Sequence, residues 1–129
     1  MSQQLNKILY VEDEADIRTV AQLALEAVGG FTLEVCSKGE EAVAKAPAFN
    51  PDLILLDVMM PGMDGPGTLA ALRNLPSLHH TPVIFMTAKV QPKEIQVYKA
   101  LGALDVIAKP FDPMTLAEQV RTIWARTHG

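Results

Sequence analysis

Cysteine is almost absent from this chain, and aromatic residues are few. Cys36 is the one cysteine among 129 residues, and aromatic residues make up 5% of the composition. A single cysteine excludes an internal disulfide and a cysteine-rich metal site, and it suits a reducing compartment. No apolar run reaches the roughly 18 residues of a transmembrane helix, and the opening residues MSQQLNKILYVEDE lack the pattern of a signal peptide. We therefore expect a cytoplasmic protein without membrane insertion.

Runs of basic residues are missing as well. Eleven Lys and Arg residues stand against fifteen Asp and Glu residues, which gives a formal net charge of -4. Without a cluster of Lys and Arg, the chain is poorly suited to a phosphate backbone, so no direct nucleic-acid partner is expected. The composition, 49% hydrophobic and 20% charged, excludes intrinsic disorder. At this length we expect a single domain over residues 1–129.

Short apolar segments alternate with helical patterns along the chain. Strands are predicted at residues 7–11, 31–36, 52–57, 82–87 and 104–108. Helices are predicted at residues 14–28, 40–46, 68–74 and 92–101, with a fifth helix after the Asp112-Pro113 cap. Strict alternation of this kind indicates an α/β fold whose parallel sheet has helices on both faces. We expect the flavodoxin-like doubly wound arrangement, with five parallel strands in the order 2-1-3-4-5 and five helices.

Polar residues occur at the ends of four of the five predicted strands. Glu12 and Asp13 follow the first strand, Asp57 ends the third, Thr87 ends the fourth, and Lys109 follows the fifth. The carboxyl ends of parallel strands lie at the same edge of a sheet, and in this fold ligands bind outside that edge. The five side chains are therefore expected to form one site.

The acidic residues of this set predict a divalent cation. Asp57 directly follows four apolar residues, so its charge lies at the edge of a core where desolvation is costly. With Glu12 and Asp13 it would form a group of mutually repelling carboxylates unless a cation held them. Mg²⁺ suits such a site, since it is typically held by one or two carboxylates, several waters and a phosphate oxygen. Lys109 would supply a point charge to the same phosphate.

Each residue of the set also has an ordinary structural explanation. Asp57 could cap the turn that follows its strand, and Glu12 and Asp13 could belong to an acidic helix N-terminus. Lys109 could be a solvated surface lysine, and the Thr87 hydroxyl could satisfy a strand end. Their shared position at one edge of the predicted sheet favours the site over these separate explanations.

Four motifs resemble those of the receiver domain of two-component response regulators, in the same order and at similar separations. The motifs are KILYVEDE, PDLILLDVMMPGMDG, TPVIFMTAK and GALDVIAKPFDP, and the resemblance extends over essentially the whole chain. The resemblance implies that Asp57 is the phosphoacceptor, that Thr87 is the switch hydroxyl and that Lys109 contacts the phosphoryl group.

The same resemblance implies a magnesium site. Glu12 and Asp13 would be the acidic pair that binds Mg²⁺ together with Asp57, and the backbone carbonyl of Met59 would complete the protein ligands. The family usually has a cis peptide bond between the positions of Lys109 and Pro110, which is plausible because the second residue is proline.

The resemblance also implies the general function of the chain. Asp57 would accept a phosphoryl group from the phosphohistidine of a histidine kinase or histidine phosphotransfer protein, and the product would act on an unknown downstream protein by direct contact. The chain would catalyse only its own phosphorylation and dephosphorylation. Because one receiver domain fills residues 1–129, we expect a stand-alone switch or relay.

The sequence departs from the family pattern at positions that bear on output and lifetime. Val106 stands where the family usually has a Tyr or Phe that rotates inward with the switch threonine. We therefore expect a muted or differently transmitted output on the face of the fourth helix, fifth strand and fifth helix. Met59 and Lys89 border the route of the attacking water in this family, and we expect them to slow dephosphorylation.

Two other classes of protein are compatible with parts of this pattern. An aspartate-nucleophile phosphatase also has an Asp after an apolar strand, but it needs a second acid two residues on, where this chain has Met59. A receiver-like binding module that is never phosphorylated is the other alternative. The complete set of acids, threonine and lysine favours the phosphorylated switch over both.

Overall fold

A parallel sheet lies at the centre of the molecule. The computed structural model describes residues 4–128, with side chains up to residue 126. The strands within this range are β1 (Lys7–Val11), β2 (Thr32–Cys36), β3 (Leu53–Asp57), β4 (Val83–Thr87) and β5 (Asp105–Ala108). They pair in parallel in the order β2-β1-β3-β4-β5. The flavodoxin-like α/β fold expected from the sequence, with its strand order 2-1-3-4-5, is confirmed.

Helices cover both faces of the sheet. They are α1 (Ala15–Gln22), which continues as a π-helix over Leu23–Val28, α2 (Gly39–Phe49), α3 (Gly65–Arg73), α4 (Pro92–Ala100) and α5 (Leu116–His128), with a short 3-10 turn at Pro76–Leu78. In the part of the chain described here, no helix is both long and apolar enough to cross a bilayer. The helix predicted over residues 14–28 is present, but its second half has π-helical hydrogen bonding.

The end of α2 differs from the sequence prediction. Proline at position 47 predicts that this helix stops before it, which is wrong, because the helix continues to Phe49. Pro47 lies in the last turn, where its missing N–H removes one hydrogen bond without preventing the next. The Asn50 N–H still donates to the Ala46 carbonyl at 2.8 Å. Asn50 then ends the helix with a left-handed φ of 53°.

The start of α3 also differs, since it begins at Gly65 rather than at the predicted position 68. The Asp64 carboxylate accepts a hydrogen bond from the Gly67 N–H at 2.8 Å and so caps the helix, while Pro66 lies in its first turn. The segment between β3 and α3, rich in glycine and proline, is therefore shorter than its composition suggests.

The fifth helix is reached through a capped turn. The Asp112 carboxylate accepts a hydrogen bond from the Met114 N–H at 2.9 Å, and α5 begins at Leu116. The predicted Asp112-Pro113 cap thus leads into the helix through one additional turn.

The core lies on both faces of the sheet, and β3 shows how. Leu53 and Leu55 pack with α1 and α5, whereas Ile54 and Leu56 pack with α2 and α3. All four side chains are fully buried, and burial of each contributes roughly 1.5–3 kcal/mol. Because both faces are apolar and covered, polar chemistry is confined to the ends of the strands.

Candidate functional site

The carboxyl ends of three strands bring two buried carboxylates and one ammonium group together. Glu12 follows β1, Asp57 ends the neighbouring β3, and Lys109 follows β5. The Lys109 Nζ lies 2.8 Å from Glu12 Oε1 and 3.1 Å from Asp57 Oδ1. The exposed fractions of the side chains are 1% for Glu12, 4% for Asp57 and 16% for Lys109. Charge is therefore concentrated at a place where water screens it little.

Asp13 completes an acidic cluster with these two carboxylates. Glu12, Asp13 and Asp57 each offer one carboxylate oxygen, and the three oxygens lie within 4.8 Å of one another. Glu12 and Asp57 are buried, whereas Asp13 is half-buried. Oxygen atoms from carboxylates are the donors that a hard divalent cation takes, so the residues present fit Mg²⁺.

Burial makes the charge on Asp57 costly. Desolvation and, after it, the nearby Glu12 carboxylate raise the pKa of Asp57, the hydrogen bond from Lys109 opposes part of the rise, and the net result is a pKa of about 7. For Lys109, desolvation lowers the pKa, but the hydrogen bonds to Glu12 and Asp57 outweigh this, and the net shift is upward. The ammonium thus stays charged, and burial makes the ionised form of Asp57 costlier than it is for an exposed aspartate.

A glycine at the start of α3 allows this helix to approach the end of β3 closely. A Cβ atom on Gly65 would lie 2.7 Å from the Asp57 carbonyl oxygen and 2.8 Å from the Val58 Cα, so a side chain there would force the backbone apart. The Gly65 N–H also donates to the Val58 carbonyl at 2.8 Å. This contact holds the start of α3 against the end of β3, and Met59, in the segment between them, is 64% exposed.

Thr87 lies at the same edge of the sheet, at the end of β4. Its side chain is buried, and its hydroxyl oxygen accepts a hydrogen bond from the Lys89 N–H at 3.1 Å. Lys89 itself is exposed and lines a groove that also contains Met59 and Tyr98. The structure thus brings all five predicted site residues to one edge, with Glu12, Asp57 and Lys109 in direct contact.

Val106, the residue at the usual aromatic position, is half-buried on β5 opposite Phe85 of β4. Both residues belong to the cluster into which Tyr98 of α4 also packs. The rings of Tyr98 and Phe85 meet edge to face, with their centroids 5.4 Å apart. The aromatic side chain at this face therefore comes from α4, which sequence reasoning missed.

Two further residues near the site were not predicted from the sequence. The Arg18 Nη1 donates to the backbone carbonyls of Glu12 and Asp13 at 2.9 and 3.0 Å. The Tyr10 hydroxyl is buried on β1 and has no hydrogen-bond partner among the described residues. The peptide bond between Lys109 and Pro110 is cis, as the resemblance implied.

Comparison with known proteins identifies relatives over nearly the whole chain. The family described as response regulator receiver domain matches residues 8–121. The transcriptional regulatory protein ResD of Bacillus subtilis is 39% identical over 121 residues, which cover 93% of this chain and 48% of ResD. The transcriptional regulatory protein CpxR of Escherichia coli is 39% identical over 124 residues, which cover 96% of this chain and 51% of CpxR. The chain thus spans about half the length of the curated relatives it matches.

Solved structures give the same result for the fold. The chemotaxis response regulator CheY4 of Vibrio cholerae superimposes with a TM-score of 0.85 at 33% identity, over 93% of this chain and 99% of that one. The receiver domain of the Francisella response regulator 1452 has a TM-score of 0.82 at 30% identity, over 95% and 98% of the two chains. The similarity therefore includes the three-dimensional arrangement of all the elements that carry the site.

Proposed function

Because this chain belongs to the response regulator receiver domain family, we propose that it is a phosphorylation-dependent signalling switch in which Asp57 is the phosphoacceptor. Receiver domains of this family serve two-component signalling, and the finer assignment to Asp57 is our proposal. The observation that carries it is the buried Asp57 carboxylate, with the Lys109 ammonium at 3.1 Å and two further acidic side chains beside it.

The proposed reaction transfers a phosphoryl group to Asp57. A carboxylate oxygen of Asp57 attacks the phosphorus of a phosphohistidine in line, an O–P bond forms and the N–P bond breaks. The departing imidazole nitrogen keeps the electron pair of the broken bond and takes up a proton. Lys109, already within hydrogen-bond distance of Asp57, offsets the negative charge of the transferring group. Positioning and electrostatics are the main contributions of the protein to such a transfer.

We also propose that the acidic cluster holds Mg²⁺. The ligands would be carboxylate oxygens of Glu12, Asp13 and Asp57, together with the backbone carbonyl of Met59. When bound, Mg²⁺ supplies positive charge that offsets both the carboxylates and the incoming phosphoryl oxygens. Lys109 alone provides one positive charge against the two carboxylates it contacts, which leaves the cluster with an excess of negative charge.

The switch would begin at Thr87. Its hydroxyl now accepts a hydrogen bond from the Lys89 N–H, and a phosphoryl group on Asp57 offers it acceptor oxygens instead. Donation to such an oxygen would draw the β4–α4 segment toward the site and change how α4 packs. Val106 and Tyr98 lie in the path of that change, so the output is expected on the face of α4, β5 and α5.

The proposed partners follow from this chemistry. A histidine kinase or histidine phosphotransfer protein would donate the phosphoryl group, and a downstream protein would read the phosphorylated state. We propose that residues 1–129 form one receiver domain that works in the cytoplasm, without membrane insertion and without direct contact to nucleic acid. Its catalysis would be limited to its own phosphorylation and dephosphorylation.

A small acyl phosphate and Mg²⁺ test the proposal directly. The parent chain should gain one phosphate by intact mass, Asp57→Asn should gain none, and Asp52→Asn, at the other end of the same strand, should react like the parent. Failure of the parent to gain phosphate from any donor, a phosphohistidine protein included, favours the binding module. Steady release of inorganic phosphate from small phosphate esters favours the phosphatase.

A further inference from the structure

The segment between β1 and α1 carries the acidic pair but has few restraints of its own. Glu14 precedes α1 in an extended conformation, and its side chain makes no hydrogen bond to the helix N-terminus. The Glu14 N–H donates to the Glu12 carboxylate at 3.2 Å, which is a long contact. Lys109 holds the Glu12 carboxylate at 2.8 Å, but an uncapped helix start would leave the direction of the neighbouring Asp13 carboxylate weakly fixed.

Arg18 supplies the missing restraint from within α1. Its Nη1 donates to the carbonyl of Glu12 at 2.9 Å and to the carbonyl of Asp13 at 3.0 Å, and the side chain is half-buried. The Arg18 backbone N–H donates to the Glu14 carbonyl at 3.0 Å, which is the first hydrogen bond of the helix, so the backbone from which the guanidinium reaches back is itself fixed. A planar guanidinium held in this way fixes two consecutive peptide groups.

The orientation of these peptide groups decides where the acidic side chains point. Carboxylates that lie within 4.8 Å of one another repel, and repulsion would turn the half-buried Asp13 toward solvent. The guanidinium opposes this by holding the main-chain carbonyls of Glu12 and Asp13 in place. The cluster is thereby held ready for a cation before the cation arrives.

We infer that Arg18 is a positioning residue for the acidic pair, and that its two carbonyl contacts set the affinity of the cluster for Mg²⁺. The inference rests on the proposed function, since it assigns a role within the same site. Residues that orient metal ligands typically change metal affinity by about 10- to 100-fold when they are replaced.

The chain contains a matched control for this role. The Arg73 Nη1 also donates to two backbone carbonyls, those of Leu78 at 2.9 Å and Thr81 at 2.8 Å. These contacts join the end of α3 to the segment before β4, at the opposite end of the sheet. Arg73→Gln therefore removes the same kind of contact without touching the acidic cluster.

The test is calorimetric titration of Mg²⁺ into the unphosphorylated parent, Arg18→Gln, Arg18→Lys and Arg73→Gln. We expect Arg18→Gln to raise the Mg²⁺ Kd about tenfold, Arg18→Lys to fall between it and the parent, and Arg73→Gln to leave the Kd unchanged. Phosphorylation by a small acyl phosphate should then need more Mg²⁺ in Arg18→Gln and reach the parent rate at saturation.

Separate outcomes overturn the inference and the proposed function. Equal Kd values for the parent and Arg18→Gln, or an equal weakening in Arg73→Gln, overturn the role of Arg18 while leaving the site intact. A parent chain that neither binds Mg²⁺ nor gains phosphate overturns the proposed function itself, and the role of Arg18 with it.

Discussion

Strand β3 has an aspartate at each end, and the two aspartates lie in opposite environments. Asp52, just before the strand, is half-buried, and its carboxylate accepts hydrogen bonds from the N–H groups of Asn6 at 3.0 Å and Lys7 at 2.8 Å. Asp57, the last residue of the strand, is buried, and its carboxylate faces Lys109 and Glu12. One aspartate is held by backbone donors, whereas the other depends on charged side chains.

The direction of a parallel sheet explains this difference. All strands begin at one edge, where the first N–H groups are available to a carboxylate, and all end at the other edge, where carbonyl oxygens predominate. A carboxylate at the starting edge is therefore stabilised by the backbone. At the ending edge it needs a cation, and in this chain Lys109 supplies only part of the required charge. The carboxylates at the ending edge therefore lower the stability of the fold, and the same groups are the ones suited to chemistry.

Asp57→Asn gives the largest expected effect, and it should stabilise the protein without metal. The pKa of Asp57 is raised from 3.8 to about 7 in the folded chain, chiefly by burial. The folded state therefore holds this proton more tightly than the unfolded state between these pH values, and the unfolding free energy falls as pH rises through that range. The asparagine variant loses this dependence and should be about 2–4 kcal/mol more stable than the parent at pH 8.

The measurement is urea unfolding of both proteins from pH 4 to pH 8 in the presence of a chelator. The difference in unfolding free energy should be near zero at the acid end and grow toward the alkaline end. A constant difference across the range would show that shape rather than charge distinguishes the two side chains. If the proposed site holds Mg²⁺, its addition should narrow the gap, since a cation that binds only the folded parent stabilises it.

Asp52→Asn should have the opposite sign. Both N–H groups donate to the same oxygen, Oδ2, and an amide oxygen can still accept both bonds, but the amide loses the charge that strengthens the bonds from Asn6 and Lys7. We expect the unfolding free energy to fall by about 1–2 kcal/mol at pH 7. Urea unfolding at that pH provides the measurement, and a stabilising Asp52→Asn would remove the contrast between the two ends of β3.

The strands and the polar residues at their carboxyl ends were predictable from the sequence, whereas the side-chain contacts that support those residues were not. Apolar runs such as Leu53 to Leu56 are fully buried in the structure. Strict alternation predicted a parallel sheet, and the number of strands favoured the order 2-1-3-4-5 that the structure has. The set at the ending edge was predictable because parallel strands converge there. The bonds from Arg18 to two carbonyls have no signature in residue spacing, because any long basic side chain one turn into a helix can make them or point to solvent.

Helix boundaries and the aromatic contact escaped prediction for related reasons. Proline at position 47 is compatible both with a helix end and with a last turn, and only the hydrogen bond from Asn50 to Ala46 decides between them. Tyr98 meets Phe85 across two elements that are packed together by the fold. Contacts of this kind depend on tertiary distances, which local periodicity does not contain.

Tyr10→Phe tests whether an uncharged polar group near the carboxyl end of β1 also lowers the stability of the protein. The Tyr10 hydroxyl is buried without a hydrogen-bond partner among the described residues, and burial raises its pKa, so it stays protonated. An unsatisfied buried hydroxyl lowers the free energy of unfolding by roughly 1–3 kcal/mol. Its removal recovers this loss, but the small void that it leaves offsets part of the gain. We expect a gain of about 1 kcal/mol in unfolding free energy. The control is Tyr98→Phe, at a half-buried ring, which should change little; a loss of stability in Tyr10→Phe would indicate a bound water at this hydroxyl.

The smallest expected effect concerns the groove that Met59 and Lys89 line together with Val58, the residue after Asp57. We expect both to border the path by which water would reach a phosphorylated Asp57, and a bulky apolar group beside an ammonium to hinder that approach. Replacing both with serine should shorten the lifetime of the phosphorylated chain about threefold, equivalent to ~0.7 kcal/mol in the barrier. Loss of the mass-shifted species over time measures this lifetime.

The matched control replaces Met114 and Lys93, which are exposed and lie outside the groove, with serine. Equal lifetimes in the groove variant and the parent would leave control of hydrolysis to the buried cluster, and would confine the chemistry of this edge to Asp57 and its direct contacts.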